Sequence, residues 1–429
     1  MRYQTIESTL FCRNRLNLEK KLKPNALAII YSNDEMPRNG DQCFPFRQNS
    51  DMFYLTGLDQ EKSILTLFPN HPDEQMREIA FIVETDDLMV TWYGHKYSLE
   101  QASKISGIKT IKWLGQYEGV LRDFMSRAEY VYLNLDENAK FTTEVISQNL
   151  RRAHALKADY PLHNYVRLAP YLAELRMTKG PEEVKLLREA CKITGDAFNR
   201  VLGFVKPGVM EYEVEAEITH EYIRQGASGH SYEPIVASGV NNNILHYGEN
   251  DQLCKDGDLL LLDFGAEYAN YAGDCSRTIP VNGKFTTRQR QVYEAVLRIL
   301  RQATKMLVPG ITLDTYHARV CKLMEEELIG LGLLTRDEVE HPVNGKPAYF
   351  KYYMHNTSHF IGLDVHDVGT RQMPLRRGMI LSCEPGIYIV EEGFGIRLEN
   401  DILVENEPVN LMENIPVEPD EIEALMAAR

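Results

Sequence analysis

GDLLLLDFGAEYANYAGDCSRT (257–278) and GMILSCEPGIYI (378–389) are the stretches whose reading decides the fold. Each leaves a glycine, passes through a mainly apolar run, reaches an acid and meets a second glycine two residues later. Short apolar runs bounded by glycine read as buried strands. Asp263 and Glu384 become counterparts in this alignment, and His246 and His366 precede them by 17 and 18 residues. The repeat extends upstream. Val205-Lys206-Pro207-Gly208-Val209 leads into one helical stretch, and Leu307-Val308-Pro309-Gly310-Ile311 leads into another. Two related halves are expected, each two helices followed by a hairpin, facing one another across a cleft.

Working outward, Gly180-Pro181-Glu182-Glu183 marks a helix start, with proline suited to the first turn and acids favoured by the helix dipole. Helical periodicity continues over 181–204, 211–225, 287–308 and 312–329. PIVASG, DLLLLDFGAEY, TIPVN, MILSCEPGIYIV and GIRLENDILV read as strands. Before residue 165, ALAIIY, DMFYLTGL, SILTLF, AFIVE, LMVTWY and VYLNL read as strands of a mixed α/β domain. The expected organisation is a domain over 1–165, a helical connector over 166–180 and a second domain over 181–429. A chain of 429 residues exceeds what one core usually supports.

Composition narrows the function. A net charge of −15 opposes binding to nucleic acid or to anionic membrane surfaces. No run approaches the roughly 18 apolar residues of a membrane span, and the N-terminus lacks a signal-peptide core. A cytoplasmic location is the expectation. The seven cysteines are scattered, with no CxxC pair, and read as reduced thiols.

Asp263 and Asp274 are eleven residues apart across a turn, and Glu384 and Glu399 repeat the arrangement across EEGFG (391–395). Two ionised carboxylates in apolar surroundings repel, so either one stays protonated or cations sit between them. MHNTSHFIGLDVHDVG (354–369) adds three histidines, of which His359 is the candidate nitrogen ligand. Four carboxylates and one imidazole carry a charge that two divalent ions balance, with room for a bridging hydroxide. Such donors suit manganese, iron, cobalt or zinc better than copper. The bland alternatives are turn or cap roles for Asp263 and Asp274, and a surface ion-pair ladder of Arg397, Glu399 and Asp401. Glu384, after MILSC, is harder to dismiss, because it would be buried without a partner. His220-Glu221 begins like a zinc-peptidase helix, but Arg224 stands where the second histidine belongs, and no GxSxG, P-loop or GxGxxG is present.

LLLLDFGAEYANYAGDCSRT, MHNTSHFIGLDVHDVG, SCEPGIYI and GIRLENDI together resemble the pita-bread metallopeptidases, over about the last 250 residues. PRNGDQCFPFRQNSDMFYLTGL (37–58) further resembles the N-terminal domain of the aminopeptidase P branch. The resemblance implies an α/β (α+β) fold whose C-terminal pita-bread domain has pseudo-twofold halves. It also implies release of the N-terminal residue from peptides with proline second, by attack of a hydroxide bridging two ions, usually manganese.

The implied metal ligands are Asp263, Asp274, His359, Glu384 and Glu399, with Asp274 and Glu399 bridging. His246, His355 and His366 match histidines behind the ligands or against substrate, and Tyr388 and Arg397 match pocket-lining residues. Glu384 is the expected proton shuttle to the prolyl nitrogen. His366 and His246 are expected on the developing oxyanion, and His355 is expected to orient a ligand. Asn356 stands where glycine is common, and Cys383 flanks a ligand, which raises oxidant sensitivity against an inert buried thiol. Prolidase and a metal-free binding module are the rival readings. A homo-oligomer, dimer or tetramer, is expected by analogy. Trp92 is read either as a cover over the substrate site or as an ordinary core or interface aromatic.

Overall fold

The computed structural model describes residues 2–137, 144–342 and 345–428. The chain divides into two compact units, Gln4–Arg176 and Met177–Arg429, the latter joined by Met1–Tyr3.

In Gln4–Arg176 a six-stranded sheet has the order Thr110–Trp113, Glu78–Ile82, Ile64–Leu67, Ala26–Tyr31, Tyr130–Leu133 and Asn164–Arg167. The strand Ala26–Tyr31 is buried along its whole length, as a continuous apolar run between two covered faces should be. Its pairing is antiparallel to Ile64–Leu67 and parallel to Tyr130–Leu133.

Two expected strands are helices instead. DMFYLTGL forms the helix Ser50–Thr56, because the Asn49 side chain accepts the amides of Asp51 and Met52 at the start and Gly57 closes the end in the left-handed region. Five of its seven residues are buried, so the stretch is apolar all round and shows no helical period. LMVTWY lies in the helix Asp87–Tyr93, which Asp86 caps through the amide of Met89. Its apolar residues face outward: Leu88, Trp92 and Tyr93 are all exposed, Trp92 by 74%. Trp92 is therefore not a core residue of the chain.

Met177–Arg429 carries the repeat. The helices Pro181–Phe204 and Glu211–Arg224 precede a three-stranded sheet of Ile235–Ser238, Leu259–Phe264 and Cys275–Pro280. The helices Thr287–Met306 and Leu313–Gly330 precede Ile380–Cys383 and Asn400–Leu403, paired antiparallel. In each half the hairpin continues past its acids into a second ladder. This is Ala266–Tyr268 with Tyr271–Ala272 in the first half, and Gly386–Ile389 with Phe394–Arg397 in the second.

The step between ladders has a local cause in the first half. A side chain at Gly265 would meet the carbonyl oxygen of Gly273 at 1.8 Å, so only glycine lets the two arms cross there. Asp263 lies just before that crossing and Asp274 just after it. The turn beyond is closed by Ala269 and Asn270, both at positive φ.

The hairpins of the two halves then meet. The Glu399 amide donates to the Ser276 carbonyl at 3.0 Å. The fully buried Arg277 donates to the carbonyls of Glu399 at 2.6 Å and Pro416 at 2.9 Å. Repeat symmetry plus this seam brings four acids, distant in sequence, to one place.

Candidate active site

A cavity of about 340 Å³ opens within the Met177–Arg429 unit. It is lined by nine of the ten predicted site residues: Asp263, Asp274, His246, His355, His359, His366, Glu384, Arg397 and Glu399. Tyr388, the tenth, is buried directly behind them, with its hydroxyl 2.9 Å from His355 Nε2.

His359 Nδ1 donates to the Phe360 carbonyl at 3.1 Å. That bond orients the ring so that Nε2 points inward, 3.2 Å from Asp274 Oδ2 and 3.6 Å from Glu384 Oε1. The His359 amide donates to Ser382 Oγ at 3.0 Å, which ties the histidine to the strand Ile380–Cys383, just before Glu384. The His366 ring stands edge-on to His359, with centroids 4.4 Å apart.

Arg397 is buried and reaches three partners. Nη2 donates to Asp263 Oδ2 at 2.5 Å, Nε to Ser276 Oγ at 2.9 Å and Nη1 to the Tyr388 hydroxyl at 2.9 Å. Ser276 Oγ in turn donates to Glu399 Oε2 at 2.7 Å. His355 Nδ1 donates to the Asn356 carbonyl at 2.8 Å. Burial and the nearby Arg397 charge pull His355 down to about 3, so its Nε2 is a bare acceptor at neutral pH. The direction of the chain is therefore determined: Arg397 to Tyr388 oxygen, Tyr388 proton to His355 Nε2.

Burial sets the electrostatics of the acids. Asp274 is raised by burial and by the Asp263 charge, and Glu399 by burial and by the charges of Asp274, Glu384 and Asp263. Glu384 is pushed up to about 7 by burial and by Asp274 and Asp263, against the pull of His359 and Arg397. Burial lowers His359, but the hydrogen bond to Asp274 and the Glu384 charge outweigh it and bring the imidazole to about 9.

The expected alternative of a surface ladder fails. Arg397, Glu399 and Asp401 are all buried, and Asp401 accepts the Asp274 amide at 3.1 Å instead of an arginine.

These observations test the fit of a metal. Asp274, His359 and Glu399 each offer a ligand atom, all within 4.8 Å of one another. The Tyr232 hydroxyl lies 2.6 Å from Asp263 Oδ1 and also 2.6 Å from Asp274 Oδ1. Two contacts that short need two protons, and the phenol supplies only one. The paired carboxylates are therefore short of positive charge. Divalent cations on oxygen and imidazole donors would supply it. The residues fit.

Tyr232 and Ser276 are absent from the candidates read from the sequence. Ser276 stands inside DCSRT, two residues after an acid, where strand alternation puts both on one face. Tyr232 precedes the strand Ile235–Ser238 in irregular chain, with no motif to single it out. Cys383 is fully buried and burial pushes its thiol up to about 11, which makes it the inert thiol of the two readings.

The pattern of metallopeptidase family M24 matches residues 185–406, and that of the aminopeptidase P N-terminal domain matches residues 11–132. Xaa-Pro aminopeptidase of Escherichia coli is 36% identical, covering 97% of each chain. Human Xaa-Pro aminopeptidase 3 is 31% identical over 92% of this chain and 80% of its own. Zinc-substituted E. coli aminopeptidase P in complex with product superposes with a TM-score of 0.89 at 34% identity, over 99% of both chains. Aminopeptidase PepP of Pseudomonas aeruginosa gives 0.90 at 33%, over 99% of both. A cavity lined by paired carboxylates and one inward imidazole, in a repeated hairpin frame shared from end to end with these enzymes, places the chain in metallopeptidase family M24, as a metal-dependent exopeptidase of the aminopeptidase P type.

Proposed function

We propose that the chain removes the N-terminal residue from peptides with proline in second position, using two manganese ions. The observation that carries this reading is the convergence of Asp263, Asp274, His359, Glu384 and Glu399 on one cavity, in a chain similar throughout to Xaa-Pro aminopeptidases. Those five residues would hold the ions, with Asp274 and Glu399 as donors available to both. Once bound, the ions supply Lewis acidity and a nucleophile at neutral pH.

The chain's own side chains do the rest. Scission leaves the prolyl nitrogen as a poor anionic leaving group, so it must receive a proton. Glu384, with a carboxyl group poised near 7 before metal binds, is the carrier. His366 and His246 face the cavity and donate to the carbonyl oxygen as its charge develops. His355 is not a proton donor to substrate, since its Nδ1 proton is committed to Asn356 and its Nε2 accepts from Tyr388. It holds Tyr388, and through it Arg397, in place.

We assign the catalytic part to 181–429 and a separate domain to 1–165, with 166–180 between. The two family matches fall inside these limits. A cytoplasmic, homo-oligomeric enzyme, dimer or tetramer, belongs to the same reading. All seven cysteines are free, which suits a reducing compartment. No helix among the described residues is long and apolar enough to cross a membrane.

The deciding assay incubates metal-stripped protein with manganese and either Xaa-Pro-Yaa tripeptides or Xaa-Pro dipeptides, and identifies products by mass. Release of free Xaa from the tripeptide supports the proposal. Cleavage of dipeptides alone supports prolidase, and inactivity with every divalent ion supports a binding module.

Manganese should also stabilise the protein, because it neutralises repelling acids. At a hundredfold excess over Kd one site adds about 2.7 kcal/mol, read as a rise in calorimetric Tm. An unchanged Tm at millimolar manganese would count against the site.

Tyr388→Phe removes the hydroxyl between Arg397 and His355. A loss of about 10- to 100-fold in kcat/KM is expected, with little change in Tm. Wild-type kinetics in this variant would show the chain to be passive.

A further inference from the structure

Behind the cavity lies an ion pair with no part in the mechanism above. Lys179 Nζ is 2.9 Å from Asp367 Oδ2, and both side chains are only 1% exposed. Taking two charges out of water is costly. An apolar pair of similar volume stabilises a fold as well or better, so a pair kept at this depth calls for a reason other than stability.

Its surroundings supply one. Asp367 follows His366 in a loop, residues 361–370, that belongs to no sheet ladder. Asp367 is drawn inward to Lys179, and His366 is turned out toward the cavity. Three backbone bonds complete the anchorage: the Asp367 amide to the Phe360 carbonyl at 2.9 Å, the Ala272 amide to the Gly362 carbonyl at 2.9 Å, and the Lys179 amide to the Gly378 carbonyl at 2.8 Å. Gly362 is required for the closeness, since a side chain there would lie 2.0 Å from Asp367 Oδ2 and 3.0 Å from Lys179 Cε.

A second acid joins the group. Glu183 is buried, accepts the Gly180 amide at 2.8 Å and takes the Tyr271 hydroxyl at 3.1 Å. Tyr271 belongs to the hairpin arm that leads to Asp274. One buried cluster thus touches the start of the helix Pro181–Phe204, the hairpin of one half and the histidine loop of the other.

We propose that the Lys179–Asp367 pair is a positioning device for His366, fixing the loop so that the imidazole meets the substrate carbonyl. The proposal rests on the reading that His366 acts on substrate. Three variants test it: Asp367→Asn, Lys179→Arg, and the double change Lys179→Met with Asp367→Leu, which removes both charges and leaves none stranded.

The assays are kcat and KM on an Xaa-Pro-Yaa tripeptide at saturating manganese, bound manganese, and calorimetric Tm. The contact between the His359 and His366 rings is followed by NMR on histidine-labelled protein without metal. The double variant is expected to fold with wild-type manganese content and KM within about twofold, to lose about 10- to 100-fold in kcat, and to lose the ring contact. Lys179→Arg, which keeps the charge, should recover most of the rate. Asp367→Asn should fall between.

The proposal is overturned if the folded double variant keeps the ring contact, if its kcat matches wild type, or if manganese is lost in proportion to rate. Failure of the double variant to fold overturns it too, because the pair would then serve the fold itself. A wild-type protein that leaves the tripeptide uncut defeats only the functional reading, and the ring contact still decides this one.

Discussion

Asp274→Asn is expected to lower kcat by at least about a thousandfold, equivalent to about 4 kcal/mol of lost transition-state stabilisation, while the fold survives. The residue is 4% exposed, and its side chain makes two contacts, to Tyr232 through Oδ1 and to His359 through Oδ2. Asparagine has the same shape but no charge, and its amide nitrogen cannot accept. In the proposed site the balance of four carboxylates against two divalent ions would be broken, and one donor would be lost. Stability should move the other way in the absence of metal. Burial and the Asp263 charge already work against an ionised Asp274, so removing its charge relieves repulsion. The metal-free variant should melt no lower than the metal-free wild type. Near-normal turnover at saturating manganese would rule out a bridging role for Asp274.

Glu384→Gln has the second largest expected effect, a fall in kcat of about 10²- to 10⁴-fold, the usual scale for a positioned acid or base. The side chain sits 3.6 Å from His359 and 3.6 Å from His355, and its backbone amide donates to the Thr357 carbonyl at 2.9 Å. Glutamine preserves the backbone anchor and the bulk but can neither take up nor release the proton. The two possible reasons for the loss separate by leaving group. A substrate whose departing group needs no proton, such as an aryl ester of the N-terminal residue, should narrow the deficit by at least about tenfold. An equal deficit on both substrates would assign Glu384 to ion binding alone.

Sequence pattern revealed most of the second domain, because its two halves share one grammar. Pro181 and the acids behind it mark the first helix at the position where it begins. The glycines at 265 and 386 mark the points where each hairpin changes ladder. The acids stand at strand ends, where apolar runs make charge conspicuous. Pattern was blind where geometry is made by single contacts. Tyr232 reaches the acids from irregular chain, and nothing in SGHSYEPIV encodes the direction of its ring. Asp401 and Arg397 alternate like a solvent-facing ladder, yet both are buried, since alternation does not say which face is covered. In the first domain, Ser50–Thr56 and Asp87–Tyr93 are single short helices of seven residues. Two turns are too few to display a period of 3.6 when five consecutive residues are buried or the apolar side faces outward.

The chain has two tryptophans, Trp92 and Trp113, and both belong to the Gln4–Arg176 unit. The unit that carries the acids and histidines is thus free of indole. Intrinsic indole emission during a denaturant titration reports directly on the first unit only. Energy transfer from a fluorescent peptide, or a tryptophan installed on the cavity rim, is the optical handle that the second unit needs.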